Sequence, residues 1–215
     1  MPAPPATPPS ARAAPHPRGL YTKAIRWFIP PMERDRLDLL RARLFVVLCF
    51  LVALNTGGFA ALHALHHEPG NSYVVIGLLM ILSGVGLGFP FLLRWGAPVR
   101  PLSSTFFAVL QLGLIGVAWF DDGLNSGSVY WLAALPLGAA FLGGTRAGWA
   151  SALLSLVAVL ALYIALGMGM VFPTSVPPAH VAVHKAVNLF SCIACVGALA
   201  WMYEGPLVRH LYSLM

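Results

Sequence analysis

Six apolar segments follow one another along this chain: Leu44–Leu65, Tyr73–Leu93, Leu102–Phe120, Val129–Leu142, Ala147–Val171 and His180–Tyr203. No other feature restricts the fold so severely. A bilayer core requires about 20 helical residues, and five of the segments meet that length. The fourth is short, so it must borrow polar flanks or be covered by neighbours. Charged residues make up 9% of the chain, against about 25% in a soluble domain. No period-two pattern competes with the helical reading. The sequence therefore predicts an all-α, polytopic membrane protein with six transmembrane helices.

The basic residues orient it. Of thirteen Lys and Arg, eight precede Leu44, and Arg94, Arg100, Arg146 and Arg209 fall in alternate connections. With the N-terminus inside, twelve are cytoplasmic and Lys185 alone is outside. The positive-inside rule thus predicts an N-in, C-in protein, which we place in a bacterial inner membrane. The outer connections carry Glu68, Asp121 and Asp122, so the outer mouth is acidic. Residues 1–19 are rich in Pro and Ala and lack the apolar core of a signal peptide, so they read as a disordered cytoplasmic tail. Residues 20–43 are basic and amphipathic, broken at Pro30-Pro31, and suit a juxtamembrane segment at an anionic lipid surface. Residues 44–203 form the transmembrane domain and 204–215 a short cytoplasmic tail, with Gly205-Pro206 expected to stop the last helix.

Residues 121–149, DDGLNSGSVYWLAALPLGAAFLGGTRAGW, are the most distinctive stretch. A turn cluster with two acids leads into an apolar helix, which ends at a Gly-rich basic corner. Pro136, inside the run, is expected to kink it. The stretch resembles the fourth membrane helix of the N-terminal sensor region of bacterial histidine kinases and some diguanylate cyclases. The residues that carry the likeness are Gly123-Leu124-Asn125-Ser126, Tyr130-Trp131, Leu135-Pro136-Leu137 and Gly144-Thr145-Arg146-Ala147-Gly148. Asp122 stands where that family tends to have Gly, and Gly127 where it tends to have Pro. The resemblance implies a sensory membrane domain, commonly dimeric. No kinase or cyclase catalytic residues follow, so it implies no enzymatic role. The chain then reads as a standalone relative, or one whose effector is lost or supplied in trans.

The residues best placed for chemistry are histidines. His63 and His67 lie four apart at the outer end of the first span, and His180 and His184 four apart at the outer start of the sixth. That spacing puts each pair on one helix face. His66, Glu68, Asp121 and Asp122 belong to the same level. Imidazole and carboxylate together suit a metal or haem iron, or a pH-responsive cluster. His180, His184, Asn188, Cys192 and Cys195 continue as one polar stripe toward mid-membrane. Such a stripe is a functional candidate, although small residues on one face also make a packing seam. Cys192-x-x-Cys195 lacks the electropositive setting of a redox motif. The adjacent carboxylates of Asp121 and Asp122 could bind a cation, but a solvated loop explains them more simply. Trp119, Phe120, Tyr130 and Trp131 are spaced like an interfacial aromatic belt, which explains them better than a quinone pocket does. Asn55 and Gln111, mid-span, must point inward, since an unpaired amide is costly in hydrocarbon; a bond between them is one solution. The paired and clustered glycines Gly57-Gly58, Gly84, Gly86, Gly88, Gly167 and Gly169 are expected at close helix contacts.

Nucleotide-binding and hydrolase motifs are absent from the sequence, and the bilayer-proximal basic residues argue against nucleic acid as a partner. The functional expectation is a membrane sensor. It reads a ligand, ion or pH at its outer face and acts on a cytoplasmic effector, within membrane lipid and as a homodimer. The alternatives are an accessory subunit of a larger respiratory or photosynthetic membrane complex, and a haem- or metal-binding membrane protein.

Overall fold

The computed structural model describes residues 25, 27–29, 36–66 and 72–212. Among them are six α-helices and no strand: α1 (Arg36–Leu65), α2 (Ser72–Arg94), α3 (Val99–Phe120), α4 (Ser128–Gly143), α5 (Thr145–Gly167) and α6 (Val181–Tyr212). A 3₁₀ turn, Gly123–Asn125, leads into α4. Each of the first four helices packs on the next, and α6 lies against α4 and α1. Five helices are long and apolar enough to cross a membrane; α4, with 16 residues, is shorter. It is lodged among α3, α5 and α6. Pro136 and Pro90 both sit inside helices that continue past them. Each proline removes one backbone donor, a loss that neighbouring helices and side chains can offset in an apolar setting.

The helix ends differ from the sequence reading at three places, each for a local reason. First, α1 starts at Arg36, so Arg36–Arg43, the end of the expected juxtamembrane segment, belong to it. Second, α6 runs through Gly205-Pro206 to Tyr212, where a stop was expected. One missing donor does not end a helix held by all its other backbone bonds. Third, α5 ends at Gly167 rather than Val171. There Gly169, at φ +81°, turns the chain, and the Met170 N–H reaches back to the Ala165 carbonyl. Gly167 and Gly169 therefore mark a helix terminus, not a packing face.

The connections place two kinds of residue at opposite ends of the bundle. Arg41, Arg94, Arg100 and Arg146 gather at one end, and His63, His66, Asp121, His180 and His184 at the other. The arginine half holds the densest core. Phe106 lies 5.5 Å from Phe45 and 5.2 Å from Phe89, edge-on to both, and Leu93, Leu132 and Leu142 are fully covered around them. Trp27 folds back over this end, where the Arg94 guanidinium sits 3.4 Å from its ring centre and donates to its carbonyl. Phe28 packs on Phe50 and Phe91. Asp38 pairs with Arg41 and Arg100.

The close approaches fall to a subset of the expected glycines. A Cβ on Gly86 would lie 2.8 Å from the Cys49 carbonyl, and one on Gly57 3.2 Å from Ser83 Oγ. Gly58, Gly84 and Gly88 face open space. These glycines therefore do not act alike, because only one face of α2 meets α1. Gly138, against Phe107, and Gly148, against Ala140, bring α4 close to α3 and α5.

Candidate functional site

The histidine end is built from four elements. The last turn of α1 supplies His63, and His66 follows it; His180 immediately precedes α6, whose first turn supplies His184. The turn after α3 supplies Asp121. The connection between α5 and α6 folds across the top and supplies Ser175. That connection is pinned by two hydrogen bonds: the Asp122 N–H donates to Pro173 O at 2.9 Å, and Ser72 Oγ donates to Ser175 O at 3.0 Å. Phe172 is buried against Gly123 and Trp119.

These elements bring four imidazoles together. His66 stacks on His180 with ring centres 4.3 Å apart. His184 Nε2 lies 3.5 Å from His66 Nδ1. His63 and His184 meet edge to face at 4.9 Å. His63 and His184 are buried, and His66 and His180 are half-buried. The hydroxyl of Ser175 joins this group to the carboxylate: it donates to Asp121 Oδ1 and lies 3.4 Å from His63 Nδ1. Its one proton is thus committed to Asp121, so His63 Nδ1 must be the donor in their contact. Ser126 Oγ donates to Asp121 Oδ2 at 2.9 Å and also contacts Ser128 Oγ.

The sequence pairing is corrected in part. His63, His180 and His184 do converge, and His66 joins them; His67 and Glu68 lie outside the described residues. Asp121 is no solvated loop carboxylate, since both its oxygens accept serine hydroxyls beneath the crossing segment. Asp122 adopts φ +68°, a left-handed conformation that favours Gly, and lines a second cavity with Lys185, Asn125, Asp121 and His184. Among the described residues, no three His, Cys, Asp or Glu side chains form a set that could hold a metal ion.

The polar stripe of α6 packs inward. Asn188 accepts from Trp131 Nε1 at 3.3 Å and donates to His184 O, with Gly127 leaving the room it occupies. Cys192 Sγ contacts Tyr130 O at 3.6 Å. The stripe is therefore the seam that joins α6 to α4 and α1. Trp131, expected in an interfacial belt, turns into the bundle because Asn188 offers its indole N–H a partner. All three cysteines are free.

A cavity of about 40 Å³ lies under the cluster, lined by His63, Asp121, Asn55, Thr56, Trp131 and Asn188 against apolar α1–α3 side chains. At about 10–15 Å³ of such space per water, it has room for a few waters and none for a quinone ring. Gln111 is buried as expected, but not paired with Asn55. Its Nε2 donates to Ser151 O at 2.7 Å and Ser155 Oγ at 2.5 Å, and its Oε1 accepts from Ser151 Oγ. Ser155 Oγ in turn donates to Leu132 O. Hydroxyls on α5 thus take the partner role that Asn55 could have filled.

Comparison with protein-family models, curated proteins and solved structures finds no match for this chain. The fold itself defines the class: a bundle of α-helices, five of them suited to crossing a membrane.

Proposed function

We propose that the protein is a membrane sensor domain. It reads a condition at the His63–His66–His180–His184–Asp121 cluster, on the outer face, and passes it along α6 to a cytoplasmic partner. One observation carries the reading: the cluster bridges the end of α1 and the start of α6, and α6 runs unbroken for 32 residues from there to the opposite end of the bundle. A change in how the imidazoles meet shifts the start of α6, and a continuous helix transmits that shift. The packing supports this division. In the window that crosses the membrane, 56% of α1 is buried but only 11% of α6, so α6 has the fewest contacts to break. The likeness of residues 121–149 to kinase sensor regions points the same way. In it, the left-handed Asp122 occupies the position that favours Gly in that family.

A second reading, as an accessory subunit of a membrane complex, draws on the same exposed face of α6, where Phe190 and Ile193 are uncovered. Mild solubilisation and co-purification separate the two. Recovery of a cytoplasmic effector or a homodimer supports the sensor; recovery of a multi-subunit redox assembly contradicts it.

A further inference from the structure

The sensor reading leaves its signal open, and the hydrogen-bond geometry of the cluster narrows it. Resting on that reading, we propose that the cluster is a binding site for a single proton. His63 and His184 share it against the carboxylate of Asp121, and uptake of a second proton parts α6 from α1.

Three observations carry this. The first is the 3.5 Å contact between His184 Nε2 and His66 Nδ1. Two ring nitrogens can face one another only with one proton between them; when both rings are cations, two donors collide. The second is crowding. The 4.3 Å stack of His66 on His180 and the 4.9 Å edge contact of His63 with His184 leave no place for two positive rings without repulsion. The third is the counter-charge. Asp121 is held by two serine hydroxyls, and among the described residues it has no Lys or Arg ion pair. Ser175 links it to His63, and His184 packs edge-on against that ring. One imidazolium neutralises it; a second has no partner.

Among the described residues, the remaining groups add no net charge at the centre. α1 contributes His63 and His66; α6 contributes His180, His184 and Lys185; the turn after α3 contributes Asp121 and Asp122. Lys185 and Asp122, one cation and one anion, line a neighbouring cavity that Asp121 and His184 also border. The crossing segment and α2 present only hydroxyls, Ser175 and Ser72. The half-exposed His66 and His180 give the proton its entry, and the buried His63 and His184, beside Asp121, hold it.

The test is ring ¹⁵N NMR of the histidine-labelled full chain in lipid nanodiscs, titrated through and below the histidine range of about pH 5 to 8. The proposal expects the first and second protonations of the cluster to be separated by more than about one pH unit. Asp121→Asn should weaken the first by about tenfold or more, moving it down by about one pH unit, while Asp122→Asn leaves it in place. If Asp121→Asn does not fold, Ser175→Ala, which cuts the link from His63 to Asp121, should move the same step in the same direction. Four imidazoles that titrate independently, or a first step equally indifferent to Asp121 and Asp122, would overturn the proposal. The titration needs no partner protein. A one-proton cluster without any partner response would therefore sink the sensor reading and leave the proton site standing.

Discussion

Gln111 shows what a buried polar residue costs and contributes in this bundle. Its amide is fully covered, and its bonds to Ser151 and Ser155 tie α3 to α5 in mid-membrane. Gln111→Leu leaves both serines short of a partner. We expect a loss of about 1–2 kcal/mol, the upper range for polar contacts between membrane helices, measured by reversible denaturation in bicelles; no loss would mean the knot is idle. Residues of this kind were legible in the sequence, because an amide in an apolar run has to turn inward. So was the spacing of His63, His180 and His184. His66 was placed at their level, but the roles of Ser175 and Ser126 were not legible. A serine in a connection without periodicity resembles every other such serine until the connection is seen to fold over the bundle end.

At the scale of the helix, α1 and α2 approach most closely at Gly86. A methyl on Gly86 meets the Cys49 carbonyl and Ala53, which are backbone and a short side chain with no room to yield, whereas one on Gly84 meets nothing within 4 Å. Gly86→Ala should therefore cost about 1–3 kcal/mol by overpacking. Gly84→Ala should stay within about 0.5 kcal/mol. Thermal unfolding of the two variants side by side checks this, and equal effects would contradict the packing. The number and order of the helices were readable from the apolar runs. Their ends were less so, because a proline or a glycine has different consequences by context: Gly169 turns the chain, while Gly205-Pro206 leaves α6 intact.

Across the whole molecule, an apolar, aromatic-rich core at the arginine end faces a polar, cavity-bearing network at the histidine end. The charge asymmetry predicts which end is cytoplasmic. In a background without the three native cysteines, Asn125→Cys should react with an impermeant maleimide from outside the cell, and Arg146→Cys only after permeabilisation. The reverse pattern would invert the orientation. The same contrast sets a pH dependence. The folded cluster accommodates one proton, whereas in the unfolded chain each imidazole titrates alone near pH 6.5. Below that pH the unfolded state binds more protons, so stability should fall as the solution is acidified. The slope should shrink in His66→Gln, which removes one crowded ring; unfolding midpoints that do not vary with pH would contradict it.

The central claim is that protonation at one end of the bundle moves α6 at the other. The most direct measurement is the distance between spin labels on α1 and on α6 near the arginine end, taken by pulsed EPR in nanodiscs at neutral and acid pH. The account predicts a shift of about 2 Å or more on acidification, absent in the variant His184→Ala. Identical distance distributions at the two pH values in the unsubstituted protein would contradict it.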